Sequence, residues 1–336
     1  MKRNIRILSI DGGGIRGIIA GEILVYIEKK LQEYSGNHEA KIADYFDLVA
    51  GTSTGGILAC IYLCPDEQDS RKPRFTAEQA VDLYLRRGPN IFNASPWKRL
   101  LSLGGLSNEI YSEAPLERYL RAYFRDVRLS DLVKPCIITA YEIEKRYAHI
   151  FSRNDAQANP EYDFYLRDVA RATSAAPIYF QAARITSLAG QSFSLVDGGV
   201  YANNPALCAI TEACKLFGQN EPLRINDITL LSIGTGIKRK PFEYKNAKEW
   251  GAIGWVKPLM HIMMSGMNET TDHEIEILYK THQCAHQYLR LSPLLQSASG
   301  EMDNASPENM KALRETAKQY INQNTERIDQ FVRLLL

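Results

Sequence analysis

Ser53 stands between two glycines in Gly51-Thr52-Ser53-Thr54-Gly55, with an apolar run on either side (VAGTSTGGILA, 49–59). A serine becomes a nucleophile when its hydroxyl is presented on a strained turn and a nearby base takes its proton. The G-x-S-x-G spacing supplies the turn, because a strand and a helix that meet so closely leave room only for small residues two positions away. A helix N-cap would use the same residues. The partners of Ser53 elsewhere in the chain therefore decide between the two.

Three other glycine-rich turns offer such partners. Asp11-Gly12-Gly13-Gly14-Ile15-Arg16-Gly17 can aim several backbone N–H groups into one concavity, with the positive end of a helix dipole behind them. Donors so placed stabilise a developing oxyanion by roughly 2.7–4 kcal/mol each. Arg16 adds a fixed positive charge or buttresses the loop, and Asp11 reads as an anchor of the turn. Asp197-Gly198-Gly199 places a carboxylate at a strand end where it can approach another loop closely. Asp197 could take the Ser53 proton directly, provided burial lifts its pKa well above the ordinary value of about 3.9. The fourth turn is Ser232-Ile233-Gly234-Thr235-Gly236.

A Ser–Asp–His order is also present, since His261, His273, His282 and His286 follow Asp197. None sits in a glycine-rich or strand-end context, and all four read as surface histidines. His282 and His286 are four residues apart, but no HExxH motif or closed Cys/His cluster supports a metal there. No cofactor is expected.

Elements that could position these turns follow from apolar periodicity. Strands are expected at 5–10, at the end of DYFDLVA near residue 50, at PCIITAYEI (135–143), at 193–196 and at 227–233, with RYAHIFS as a hairpin partner of the third. Helices are expected after the first glycine turn, at GGILACIYL, TAEQAVDLYLRR, APLERYLRAYF, DFYLRDVARATSAA and PALCAITEACKLF, and as a closing helix from Asn309. Strands alternating with helices imply a mainly parallel sheet covered on both faces. If the strands before the four glycine turns run parallel, their turns converge at one sheet edge, where open α/β sheets bind ligands.

The 336 residues carry a formal charge of +1, which gives no global argument for nucleic acid or an anionic membrane as a partner and leaves only local patches to matter. Six scattered cysteines read as reduced thiols of an intracellular protein. The first residues lack a secretory pattern, and no apolar run is long enough to span a bilayer. A cytoplasmic protein with peripheral membrane contact is expected. SPWKRLLSLGGL (95–106) and WGAIGWVKPLMHIMM (250–264) combine Trp, Lys or Arg and aliphatic residues, as interfacial segments do, although a buried lid or core would use them too.

DGGGIRG (11–17), GTSTGG (51–56), ARATSAAPIYF (170–180), DGGVYANNP (197–205) and LSIGTG (231–236), in this order, resemble the patatin-like phospholipase family. The resemblance implies a three-layer α/β/α fold with a mainly parallel central sheet. It implies a lipid acyl hydrolase of the phospholipase A type, with Ser53 as nucleophile, Asp197 as base and Gly12, Gly13, Gly14 and Arg16 in the oxyanion-hole motif. It also implies no metal and no calcium. Residues 1–336 are expected to form one domain, with the motifs in 5–236 and a lid, assembly or regulatory extension in 237–336. Membrane phospholipids are the expected substrate. Bacterial antiphage effectors of the family are similar in length, so a cyclic dinucleotide activator and a homo-oligomer are further expectations. Two rival readings stay open: a phosphotransferase or ATPase cradling nucleotide phosphates on DGGG and SIGTG, and a non-catalytic lipid-binding protein on the same fold.

Overall fold

The computed structural model describes residues 4–92, 110–239 and 241–336, so the segment 95–106 singled out above lies outside the described residues. Strand β1 (Ile5–Ile10) leads into the first glycine turn and helix α1 (Gly17–Ser35). β2 (Leu48–Thr52) leads into α2 (Thr54–Leu63), followed by α3 (Ala77–Ile91) and α4 (Ala114–Phe124). β3 (Cys136–Glu142) and β4 (Tyr147–Ser152) form the expected hairpin, before α5 (Leu166–Thr173). β5 (Ala183–Thr186), β6 (Ser192–Asp197), α6 (Ala206–Phe217) and β7 (Ile228–Ile233) come next. The last third supplies α7 (Ala252–Thr281), β8 (Tyr288–Leu291) and α8 (Pro307–Arg333).

The sheet runs β5-β6-β3-β2-β1-β7-β8, with β4 also paired to β3. The centre, β3-β2-β1-β7-β8, is parallel throughout. β2 and β7 are buried along their whole length, as strands covered on both faces must be. Alternation in β1 sends Leu8 and Ile10 into a core shared with α1, α2 and α8, and Ile7 into a second core with α6 and the end of α7. The architecture is thus helices, sheet, helices. Every residue of α2 is buried, which explains why that helix has no polar face in the sequence.

One condition of the sequence reading does not hold. β6, the strand that carries Asp197, is antiparallel to β3, and so opposite to β1, β2 and β7. Convergence comes instead from register. β2 pairs with β3 as far as Thr52 opposite Thr139, and β6 pairs with β3 from Asp197 opposite Ala140 to Leu195 opposite Glu142. β4 covers β3 from Ile137 to Glu142, so β2 and β6 share the remaining edge and meet end to end. Thr52 and Asp197 oppose consecutive residues of β3. A strand arriving from the opposite direction therefore delivers its last residue beside Ser53.

Candidate active site

Ser53 sits between β2 and α2 with φ 55° and ψ −123°, a left-handed conformation that costs a serine of order 1–3 kcal/mol. The surrounding contacts hold it there. A Cβ on Gly55 would lie 2.1 Å from the carbonyl oxygen of Ile10, so α2 can start against β1 only with glycine at that position. The Ser53 N–H donates to Thr173 Oγ1 at 2.9 Å, and Thr173 Oγ1 donates to the Thr139 carbonyl at 2.7 Å. Thr52 Oγ1 spends its proton on the Ala202 carbonyl at 2.6 Å, so Thr139 Oγ1 donates to Thr52 Oγ1 at 2.7 Å. Three buried threonines thus tie the serine turn to the segment that follows Asp197.

Asp197 caps the short turn Gly198–Val200, accepting the Gly199 N–H at 2.7 Å, while its own N–H donates to the Ala175 carbonyl at 3.0 Å. Its carboxyl group also feels the Ser53 side chain, which lines the same cleft. Burial pushes its pKa up to about 7, and Ser53 and the Gly199 N–H only partly oppose that rise. Desolvation with no neighbouring cation to offset it gives a carboxyl group poised to exchange a proton near neutrality.

The glycine turn lies against this pair, with a Cβ placed on Gly12 falling 3.2 Å from Ser53 Cβ. Its residues divide the work. The Gly12 N–H is spent on the Asn203 carbonyl at 3.0 Å, and the Gly12 carbonyl accepts from Thr235 Oγ1 at 2.8 Å. Gly12 is therefore pinned by the turns after β6 and β7. The Gly13 and Gly14 N–H groups meet no acceptor among the described residues. Gly14 has φ +57°, and a Cβ there would meet the Met302 carbonyl oxygen at 2.2 Å. Arg16 reaches the carbonyls of Gly13 and Gly236, each at 3.4 Å, behind the loop.

Asp11 anchors the turn through an ion pair with Arg290 on β8, which also donates to Ser232 Oγ at 2.8 Å. Burial opposes the Arg290 charge, but the Asp11 carboxylate outweighs it and holds the guanidinium firmly protonated. No sequence pattern pointed to Arg290, which lies 279 residues from its partner. Thr173 lay inside a quoted stretch, yet its spacing said nothing of the Ser53 amide.

Ser53 and Asp197 open onto an apolar cleft of about 1000 Å³, mouth included, walled by Ile57, Leu83, Phe92, Leu116, Phe180 and Met264 among others. No histidine is among the described residues that line it. His273, His282 and His286 are exposed, and His261 lines a second cavity, walled by Asp11, Arg16 and Arg290 among others. His149 is buried beside Phe151, Phe164 and Phe193, with burial holding its pKa down to about 4. Among the described residues no cluster of three His, Cys, Asp or Glu could hold a metal ion. All six cysteines are free, and Cys214 is exposed rather than in the core.

The profile of a family described as patatin-like phospholipase matches residues 8–210, a span that contains Gly12 to Gly14, Arg16, Ser53, Thr173 and Asp197 but not Thr235, Arg290 or Met302. The chain belongs to the patatin-like phospholipase family. Patatin-like protein 2 of Oryza sativa subsp. indica is 34% identical over 97% of this chain and 85% of its own length. Patatin-like protein 3 of Arabidopsis thaliana is 32% identical over 97% of this chain and 82% of its own. Patatin group J-1 of Solanum tuberosum is 32% identical over 93% and 82% respectively. VipD from Legionella pneumophila aligns over 96% of this chain and 67% of its own at 12% identity and a TM-score of 0.38, too loose a likeness to bear on function. As a patatin-like phospholipase the chain is a lipid hydrolase, and among its described residues no helix is long and apolar enough to cross a membrane.

Proposed function

We propose that the protein cleaves ester-linked acyl chains from membrane phospholipids by a Ser53–Asp197 dyad. The observation that carries this reading is that a serine in strained backbone and a buried carboxyl group, its pKa raised by burial to about 7, open together onto an apolar cleft with no histidine among its described lining residues. Asp197 accepts the hydroxyl proton as Ser53 Oγ attacks the ester carbonyl. The Gly13 and Gly14 amides receive the oxyanion, Gly12 and Arg16 hold that loop in place, and the acyl chain lies along the apolar cleft. The tetrahedral adduct collapses, the C–O bond to the lysolipid breaks, and the proton returns from Asp197 to the departing oxygen. A water molecule then gives its proton to Asp197, attacks the acyl-enzyme and releases the fatty acid, restoring the Ser53 hydroxyl.

One domain accommodates this reading, because β8 and α8 from the last hundred residues join the same sheet and pack on α1. A cyclic dinucleotide activator and an antiphage role are carried by chain length alone, so the reading stops at lipid acyl hydrolysis. Fatty-acid release from phospholipid vesicles, with fluorophosphonate labelling of the intact protein, tests it. Ser53→Ala should abolish both signals, and Asp197→Asn should abolish release. Alanine at His261, His273, His282 or His286 should leave release intact. A histidine variant as inert as the serine variant refutes the dyad. ATP turnover without ester turnover would favour the nucleotide reading instead.

A further inference from the structure

Helix α7 carries apolar residues on two faces. Met260 and Met264, one turn apart, line the cleft that holds Ser53. Trp255, Val256, Leu259, Ile262 and Met263 lie on the adjoining face and are 39–46% exposed. A contiguous apolar face beside a cleft mouth marks an interaction surface on a water-soluble protein. The segment leading into it is basic: from Lys238 to Met264 the sequence holds six Lys or Arg and two Glu, on a chain whose overall charge is only +1. Lys245 and Lys248 are exposed. Phe242, itself 46% exposed, packs edge-on to Trp250 at 5.5 Å, and Trp250 packs edge-on to Trp255 at 5.1 Å. This aromatic ladder joins the basic segment to the apolar face. Large aliphatic and aromatic residues flanked by lysines are the composition of an interfacial helix that seeks anionic lipid.

We infer that the N-terminal half of α7 is the membrane-docking surface, and that its occupant is an anionic bilayer face. The inference rests on the proposed lipid hydrolysis and deepens it. The exposed face enters the headgroup–acyl boundary, the lysines meet anionic headgroups, and the cleft wall formed by Met260 and Met264 opens directly onto lipid. An acyl chain then passes from bilayer to cleft along one helix without crossing water.

Binding is measured by co-sedimentation in a Ser53→Ala background, so that the vesicles stay whole. Vesicles of phosphatidylglycerol and phosphatidylcholine in equal parts are compared with pure phosphatidylcholine. Leu259→Asp/Met263→Asp should weaken binding to the anionic vesicles at least tenfold, and Lys245→Glu/Lys248→Glu severalfold. With Ser53 present, both double variants should hydrolyse vesicles correspondingly more slowly. They should turn over a short soluble ester within twofold of the parent, which also reports that they fold. Unchanged vesicle binding in the apolar double variant, or equal binding of the parent to both vesicle types, overturns the inference. So does a parent dimer that this variant dissolves while lipid binding persists, since the face would then belong to a second copy. Absence of soluble-ester turnover by the parent would instead refute the hydrolase reading itself.

Discussion

Replacing Asp197 by asparagine should kill the enzyme and stabilise the fold, and the second effect can be given a size. The carboxyl group is buried and titrates at about 7 in the folded chain against an ordinary 3.8. Below pH 3.8 both folded and unfolded chains hold the proton, and the group adds no pH dependence. Between the two values the unfolded chain has lost the proton while the folded chain keeps it, so stability falls as pH rises. The fall is about 1.4 kcal/mol per unit and totals about 4 kcal/mol once pH exceeds 7. Asparagine keeps an oxygen for the Gly199 N–H, presents an amide to Ser53, and has no charge to desolvate. With an unfolding entropy of roughly 0.7 kcal/mol per degree for a chain this long, Asp197→Asn should melt roughly 5 °C above the parent at pH 8. The gap should close by about pH 4. Melting curves of both proteins from pH 4 to 8, by circular dichroism, provide the measurement. In the parent, kcat/KM should fall about tenfold per unit below pH 7, because only ionised Asp197 can accept the proton. A melting difference that does not change with pH, or an asparagine variant less stable at pH 8, would refute the claim that desolvation of this carboxylate makes it a base.

Thr173→Val removes the acceptor of the Ser53 N–H and the donor to the Thr139 carbonyl. Soluble-ester kcat should fall at least tenfold with KM within twofold, and Thr173→Ser should restore it. Arg290→Met leaves the Asp11 carboxylate buried without its partner and should cost about 3–5 kcal/mol in urea unfolding; adding Asp11→Leu should recover most of the loss. Gly55→Ala drives a methyl group to 2.1 Å from the Ile10 carbonyl, so soluble yield and melting temperature should both drop, whereas Gly36→Ala, with nothing within 4 Å, should cost only the strain of its positive φ.

The parts of the site that lie next to each other in sequence were legible. A serine between glycines, with an apolar strand before it and an apolar helix after it, marks a turn that few other structures explain. DGGG and DGGV gave themselves away similarly, because close backbone approach leaves glycine as its trace. The direction of β6 was not legible, since alternation in Ser192–Asp197 reads the same whichever way the strand enters the sheet. Nor were the partners fixed by long-range packing. Arg290 sits in an ordinary strand, and the division of labour within the glycine turn depends on Asn203 and Thr235, which no local pattern links to Gly12. β5 and β8, four residues each, were too short to stand out from loop. Helix α7 was legible only in part, because a helix with one apolar face towards a cleft and another towards the outside has no clear polar stripe.

The turn at Gly12–Gly14 follows β1, yet its supports come from β8, α8 and the loop between them. Arg290 pairs with Asp11, the Met302 carbonyl takes the Ile15 N–H, and α8 lies along α1. A chain cut after residue 236 would carry every motif that identifies it and still lack the braces that shape this turn. The shape of the glycine turn is thus a property of the whole sheet, and damage near residues 290–302 should reach it as surely as a substitution within it.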